Sequence, residues 1–138
     1  MPFISLRIAK SEISDDQAAA LIEQTTTLMT DIMKKKAERV SIQIALEDPR
    51  FWSVGRNRLI HMDRCGARMD IDVTAGTNTI EEKEDMVAAS TTMLDDILGI
   101  DFEMTYIVIN EIPGESWGKG GIMLADRAKV DRLAQRGI

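Results

Sequence analysis

Apolar residues alternate with others from the start of the chain. Ile4, Leu6 and Ile8 interleave with Phe3, Ser5 and Arg7, the period of two that gives a strand one core-facing side. From Leu21 the period lengthens: Leu21, Ile22, Leu28, Met29, Ile32 and Met33 recur at helical spacing and leave Glu23, Gln24 and Thr30 for water. Ser14-Asp15-Asp16-Gln17 precedes this stripe in the form of a capping box, and Lys34, Lys35 and Lys36 follow it, where cations suit the helix dipole. Period two then returns in VSIQIAL. The predicted order is strand, helix, strand.

The same order is written a second time. Trp52 and Trp117 stand 65 positions apart, as do Gly55 and Gly120, Asp31 and Asp96, Ile32 and Ile97, and Ile42 and Ile107. Met69, Ile71 and Val73 alternate with Asp70 and Asp72, Thr79-Ile80-Glu81-Glu82 offers the second cap, and Met86, Val87, Met93, Leu94, Ile97 and Leu98 repeat the stripe. Gly99 reads as the helix stop, and TYIVINEI supplies the closing strand. The expectation is one domain over 1–138, made of two pseudo-repeats at about 2–58 and 67–123 with a short tail in which Leu124, Ala128 and Leu133 face inward.

A strand, a crossover helix and a parallel strand wind right-handed in nearly all cases. Two such units joined edge to edge predict an α+β fold: tandem βαβ units in a four-stranded mixed sheet with both helices on one face. The other face would carry Phe3, Ser5, Arg7, Gln43, Asp70, Asp72, Tyr106, Val108 and Asn110. An uncovered sheet face calls for a partner, so association between copies is expected. Gly55, Arg56, Asn57 and Arg58, in the segment between the units, are hairpin material.

Composition narrows the function. With 23 acidic and 17 basic side chains the net charge is −6, the wrong sign for a broad phosphate-binding surface. No run approaches the ~20 apolar residues of a membrane span, and the N-terminus has no signal-peptide pattern; a cytoplasmic location is expected. The single cysteine, Cys65, fits a reducing compartment. His61 and Cys65 lack a third ligand, and GKGG lacks the Ser or Thr and the strand–helix setting of a phosphate loop. No metal site is expected.

A proline directly behind the initiator methionine, a short strand, a capped helix, a second strand and then INEIPGESWGKGG resemble the 4-oxalocrotonate tautomerase family of the tautomerase superfamily. Recurrence at Trp52 and Gly55 marks the resemblance as one to a fused, two-unit member, extending from Pro2 to about Gly121. It implies removal of Met1, after which the secondary amine of Pro2 shuttles a proton between carbon and oxygen of a small enol or 2-oxo acid. It implies that no metal or organic cofactor takes part. It also implies three fused chains in a homotrimer, the equivalent of six family units.

The chemistry stands on its own as well. An α-amino group titrates near ~8, and apolar surroundings or nearby cations lower that value toward the working range of a general base. Ala67, the offset partner of Pro2, is internal and has only an amide nitrogen, so one proline site per chain is expected. The family grips carboxylates with arginines, but those positions read Glu12 and Thr77 in one case and Ser41 and Tyr106 in the other. The candidate substrate-binding residues are therefore Arg39, Thr77, Tyr106 and Trp117, around a small carboxylate substrate. Glu111 and Glu115 read as exposed turn carboxylates rather than as activators of water. Hydration, dehalogenation or decarboxylation of a small unsaturated or 3-oxo acid is the alternative chemistry, and a non-catalytic oligomeric binding protein on the same scaffold is the alternative class.

Overall fold

Both predicted capping boxes form. Ser14 Oγ accepts from the amide of Gln17 at 3.0 Å while the Gln17 side chain accepts from the Ser14 amide at 2.9 Å. Thr79 and Glu82 repeat the exchange at 3.1 and 2.8 Å. From these caps run helix α1, Asp15–Asp31, and helix α2, Ile80–Leu98. A computed structural model of the chain describes residues 1–63, 65–100 and 102–127; the tail positions Ala128 and Leu133 lie outside the described residues.

Strand β1 (Phe3–Ile8) pairs in parallel with β2 (Ser41–Leu46), and β5 (Ala67–Thr74) in parallel with β6 (Thr105–Ile112). β1 and β5 join the halves antiparallel, so the sheet order is β2-β1-β5-β6. Residues of even number on β1 and odd number on β5 face the helices: Ile4, Leu6, Ile8, Ala67, Met69, Ile71 and Val73 are all within 1 % of full burial. Against them pack Leu21, Met29 and Met33 from α1 and its exit, and Met86, Leu94 and Leu98 from α2. The expected mixed sheet with both helices on one face is the architecture observed.

Two hairpins complete it: β3 (Ser53–Val54) with β4 (Asn57–Arg58), and β7 (Gly118–Lys119) with β8 (Ile122–Met123). Their turns place Gly55 and Arg56 at φ 56° and 70°, and Gly120 and Gly121 at 61° and 82°. Two consecutive left-handed residues are what a type I′ hairpin turn requires. The offset of 65 persists in backbone bonds. Leu59 N donates to Trp52 O at 2.9 Å and Leu124 N to Trp117 O at 3.0 Å.

Two details differ from the sequence expectation. Ile22 and Val87, read as part of the buried stripes, are 48 % and 40 % exposed. They follow Leu21 and Met86 by one residue, and a 100° step carries a neighbour off the core-facing line. The three lysines lie beyond α1 instead of in its last turn, because the helix ends at Asp31 and Lys34 reverses the chain at φ 59°. Lys34 Nζ nonetheless donates to Asp31 O, the helix-end contact its charge favours.

The second cap gives a local prediction. Thr79→Ala should cost about 1 kcal/mol by losing the hydroxyl acceptor, read as a lower denaturant midpoint at unchanged slope. The Thr79 amide, and then the Asn78 side chain, hold the Glu82 carboxyl below the usual range. That contribution is complete above the unfolded value near ~4.3 and is lost as pH falls through the folded one. Acid should therefore shrink the effect of Glu82→Gln.

Candidate active site

Pro2 is buried at the head of β1, and its carbonyl accepts from the Ser41 amide at 3.1 Å. Carrying the register one step beyond Phe3 sets Pro2 beside Val40 on one side and Val73 on the other. Because β5 and β6 run opposite to β1, the segments gathered at this end of the sheet are the exit of α1, the approach to α2 and the end of β6. One chain thus collects Pro2 from the first unit and loop residues from the second.

Those loops are tied together by side chains. Thr77 Oγ1 donates to Thr74 O at 2.6 Å and accepts from Lys35 Nζ at 2.9 Å. Asn78 Nδ2 donates to Met33 O at 2.9 Å, binding the exit of α1 to the approach of α2. Thr74 ends β5, one residue past Val73, so this bridge holds the Lys35 ammonium at the same end of the sheet as Pro2. Burial holds the Lys35 amine below the ordinary lysine range, and the negative charge of Glu82 opposes that shift in part.

Lys35 was not identifiable from the sequence as a site residue. Its only signal was membership of a lysine run, and the contact with Thr77 spans 42 positions. Glu111 also differs from its expectation. It lies on β6, not in a turn, and pairs with Lys83 of α2 at 2.7 Å, a bond that holds its carboxyl below the usual range. Glu115 is exposed in the turn after β6.

The remaining site residues divide between the two ends of the sheet. Arg39 closes a 3-10 turn, Ala37–Arg39, two residues before Ser41, and so lies at the Pro2 end. Trp117 follows the C-terminal end of β6, also at the Pro2 end. Its ring is half-buried, and its Nε1 is buried with no hydrogen-bond partner among the described residues. Tyr106 does not join them. It stands near the start of β6 opposite Arg68, which is five residues from Val73, or about 17 Å at ~3.3 Å per strand residue.

The opposite end holds Ala67 where the first unit has Pro2. Ala67 is fully buried within β5 and paired with Ile8, so its nitrogen is a peptide amide. Among the described residues no three His, Cys, Asp or Glu side chains are grouped to hold a metal ion, and no helix is long and apolar enough to cross a membrane.

Known proteins resemble the chain in sequence and in fold. Residues 69–127 match the family model for tautomerase enzymes. "Probable tautomerase K2" of Dickeya dadantii (strain 3937) is 32 % identical over 59 residues, spanning 43 % of this chain and 88 % of the relative. Among solved structures, a wild-type fused 4-OT symmetric trimer is 16 % identical with a TM-score of 0.78, covering 89 % of this chain and 96 % of that one. N1, of the cis-3-chloroacrylic acid dehalogenase family, is 20 % identical with a TM-score of 0.78, covering 95 % and 89 %. By its match to these relatives and by the fold it shares with them, the chain belongs to the tautomerase family.

Proposed function

We propose that the protein is a cofactor-independent tautomerase or isomerase of a small enol or 2-oxo acid, with Pro2 as the proton shuttle. The observation that supports this most is the setting of Pro2: buried at the head of β1, with Lys35 and Arg39 held at the same end of the sheet. Once Met1 is removed, the prolyl nitrogen is a secondary amine with a free lone pair. It takes the enol hydroxyl proton as the carbonyl forms, and the resulting ammonium returns a proton to the substrate carbon. Low polarity and nearby cations both disfavour the ammonium, bringing its pKa from ~8 toward neutrality. Arg39 and Thr77 are assigned to the substrate carboxylate, and Trp117 to the wall of the cleft.

Tyr106 is too far along the sheet to serve the Pro2 of its own chain, so its part in substrate binding requires a neighbouring copy. A homotrimer of two-unit chains meets that requirement. In support, among the described residues one sheet face is uncovered by helices and β2 and β6 have unpaired edges, and the fused 4-OT neighbour is a trimer. The deciding experiment is a spectrophotometric assay of Met1-free protein with phenylenolpyruvate and 2-hydroxymuconate. Ketonisation is expected. Chloride release or decarboxylation without ketonisation would reassign the chemistry, and no turnover by folded protein would leave a binding scaffold.

A further inference from the structure

At the end of the uncovered face away from Pro2 lies a groove of about 520 Å³. Arg7 of β1 stands directly opposite Arg68 of β5, and Arg68 opposite Tyr106 of β6. Directly opposed residues bring Cβ atoms within roughly 4.5–5.5 Å, and like charges so placed repel. Core packing does not demand this pair, since both side chains are on the exposed face while Leu6, Ile8, Ala67 and Met69 fill the core from the same strands.

The two guanidiniums are differently held. Arg68 donates through Nε and Nη2 to the two carboxylate oxygens of Asp70, at 3.0 and 3.1 Å, which fixes its plane and leaves Nη1 unengaged by that pair. Arg7 forms no ion pair among the described residues. Asp48 is engaged by Arg50 at 2.7 and 2.9 Å, so Glu47, exposed at the rim, is the groove's one carboxylate without an ion pair among the described residues. Phe51, 82 % exposed, and Trp52 add aromatic walls.

We propose that this groove grips a small planar carboxylate between Arg7 and Arg68. A carboxylate bridging the two arginines turns their repulsion into two charge-assisted bonds. The Tyr106 hydroxyl supplies a third donor, and the flat body of the ligand lies against Phe51 and Trp52. Resting on the trimeric proline mechanism proposed above, this adds a second carboxylate contact, delivered by Arg7 and Arg68 with Tyr106 to a neighbour's substrate, beside the one assigned to Arg39 and Thr77.

Isothermal titration of the full-length, Met1-free protein with benzoate tests the groove independently of turnover. Wild-type protein and Val87→Ala, a change on the outer side of α2, should bind alike. Arg7→Ala and Arg68→Ala should each weaken binding about tenfold or more, the loss expected for a hydrogen bond to a charged group. Arg68→Lys should fall between, since it keeps the charge but not the fork, and Glu47→Gln should tighten binding by removing repulsion. Absence of benzoate binding by wild type, or unchanged affinity in both arginine variants, would each overturn the proposal. Failure of the proline mechanism is read separately, as ketonisation by a Met1-retaining protein equal to that of the processed one.

Discussion

Leaving any residue ahead of Pro2 is expected to lower kcat/KM for ketonisation by ~10²–10⁴-fold, the usual contribution of a positioned general base. The physical reason lies in one atom. With Met1 attached the prolyl nitrogen is a tertiary amide whose lone pair is delocalised into the carbonyl, and it accepts no proton at working pH. Pro2→Ala should fall less far, because processing then leaves a primary amine of similar basicity. That amine is no longer held by a ring, and the carbonyl bonded to Ser41 becomes the main anchor of the terminus. Substrate affinity should change little in either protein, since the assigned binding groups are untouched. A retained-Met1 protein as active as the processed one would exclude Pro2 as the base.

Ile71→Ala should be the most destabilising of the conservative truncations, by about 2–5 kcal/mol. Ile71 lies on β5, an inner strand that pairs with β1 on one side and β6 on the other, and it is fully buried beneath the helices. Its loss leaves a cavity that neither neighbouring strand can fill without breaking register. Total stabilities of single domains are only ~5–15 kcal/mol, so the variant should show a sharply lower denaturant midpoint. Val87→Ala offers the contrast: 40 % exposed on the outer side of α2, it should stay within about 0.5 kcal/mol of wild type.

Elements whose signal is local were legible in the sequence. Alternation at Ile4, Leu6 and Ile8, the Ser14 and Thr79 caps and the Gly55-Arg56 turn each rest on a few adjacent residues, and all formed as expected. Copying of these signals at a constant offset also made the mixed sheet legible, since two βαβ units have few ways to share a core. Contacts between distant segments were not. Lys35 meets Thr77 only because the exit of α1 and the approach to α2 converge at one end of the sheet. Tyr106 was grouped with Pro2 on chemistry, whereas strand direction separates them: β6 begins where β1 ends. The same topology that divides those two residues brings Tyr106 into line with Arg68 and Arg7.

All the proposed chemistry depends on a basic nitrogen at Pro2. The most direct test is a ¹⁵N NMR titration of the prolyl nitrogen in protein isolated from its native cells and analysed in parallel by intact mass. A species beginning at Pro2, with a nitrogen that titrates below the ~8 of an ordinary α-amino group, is the predicted result. A species that keeps Met1, with a nitrogen that does not titrate, would contradict it.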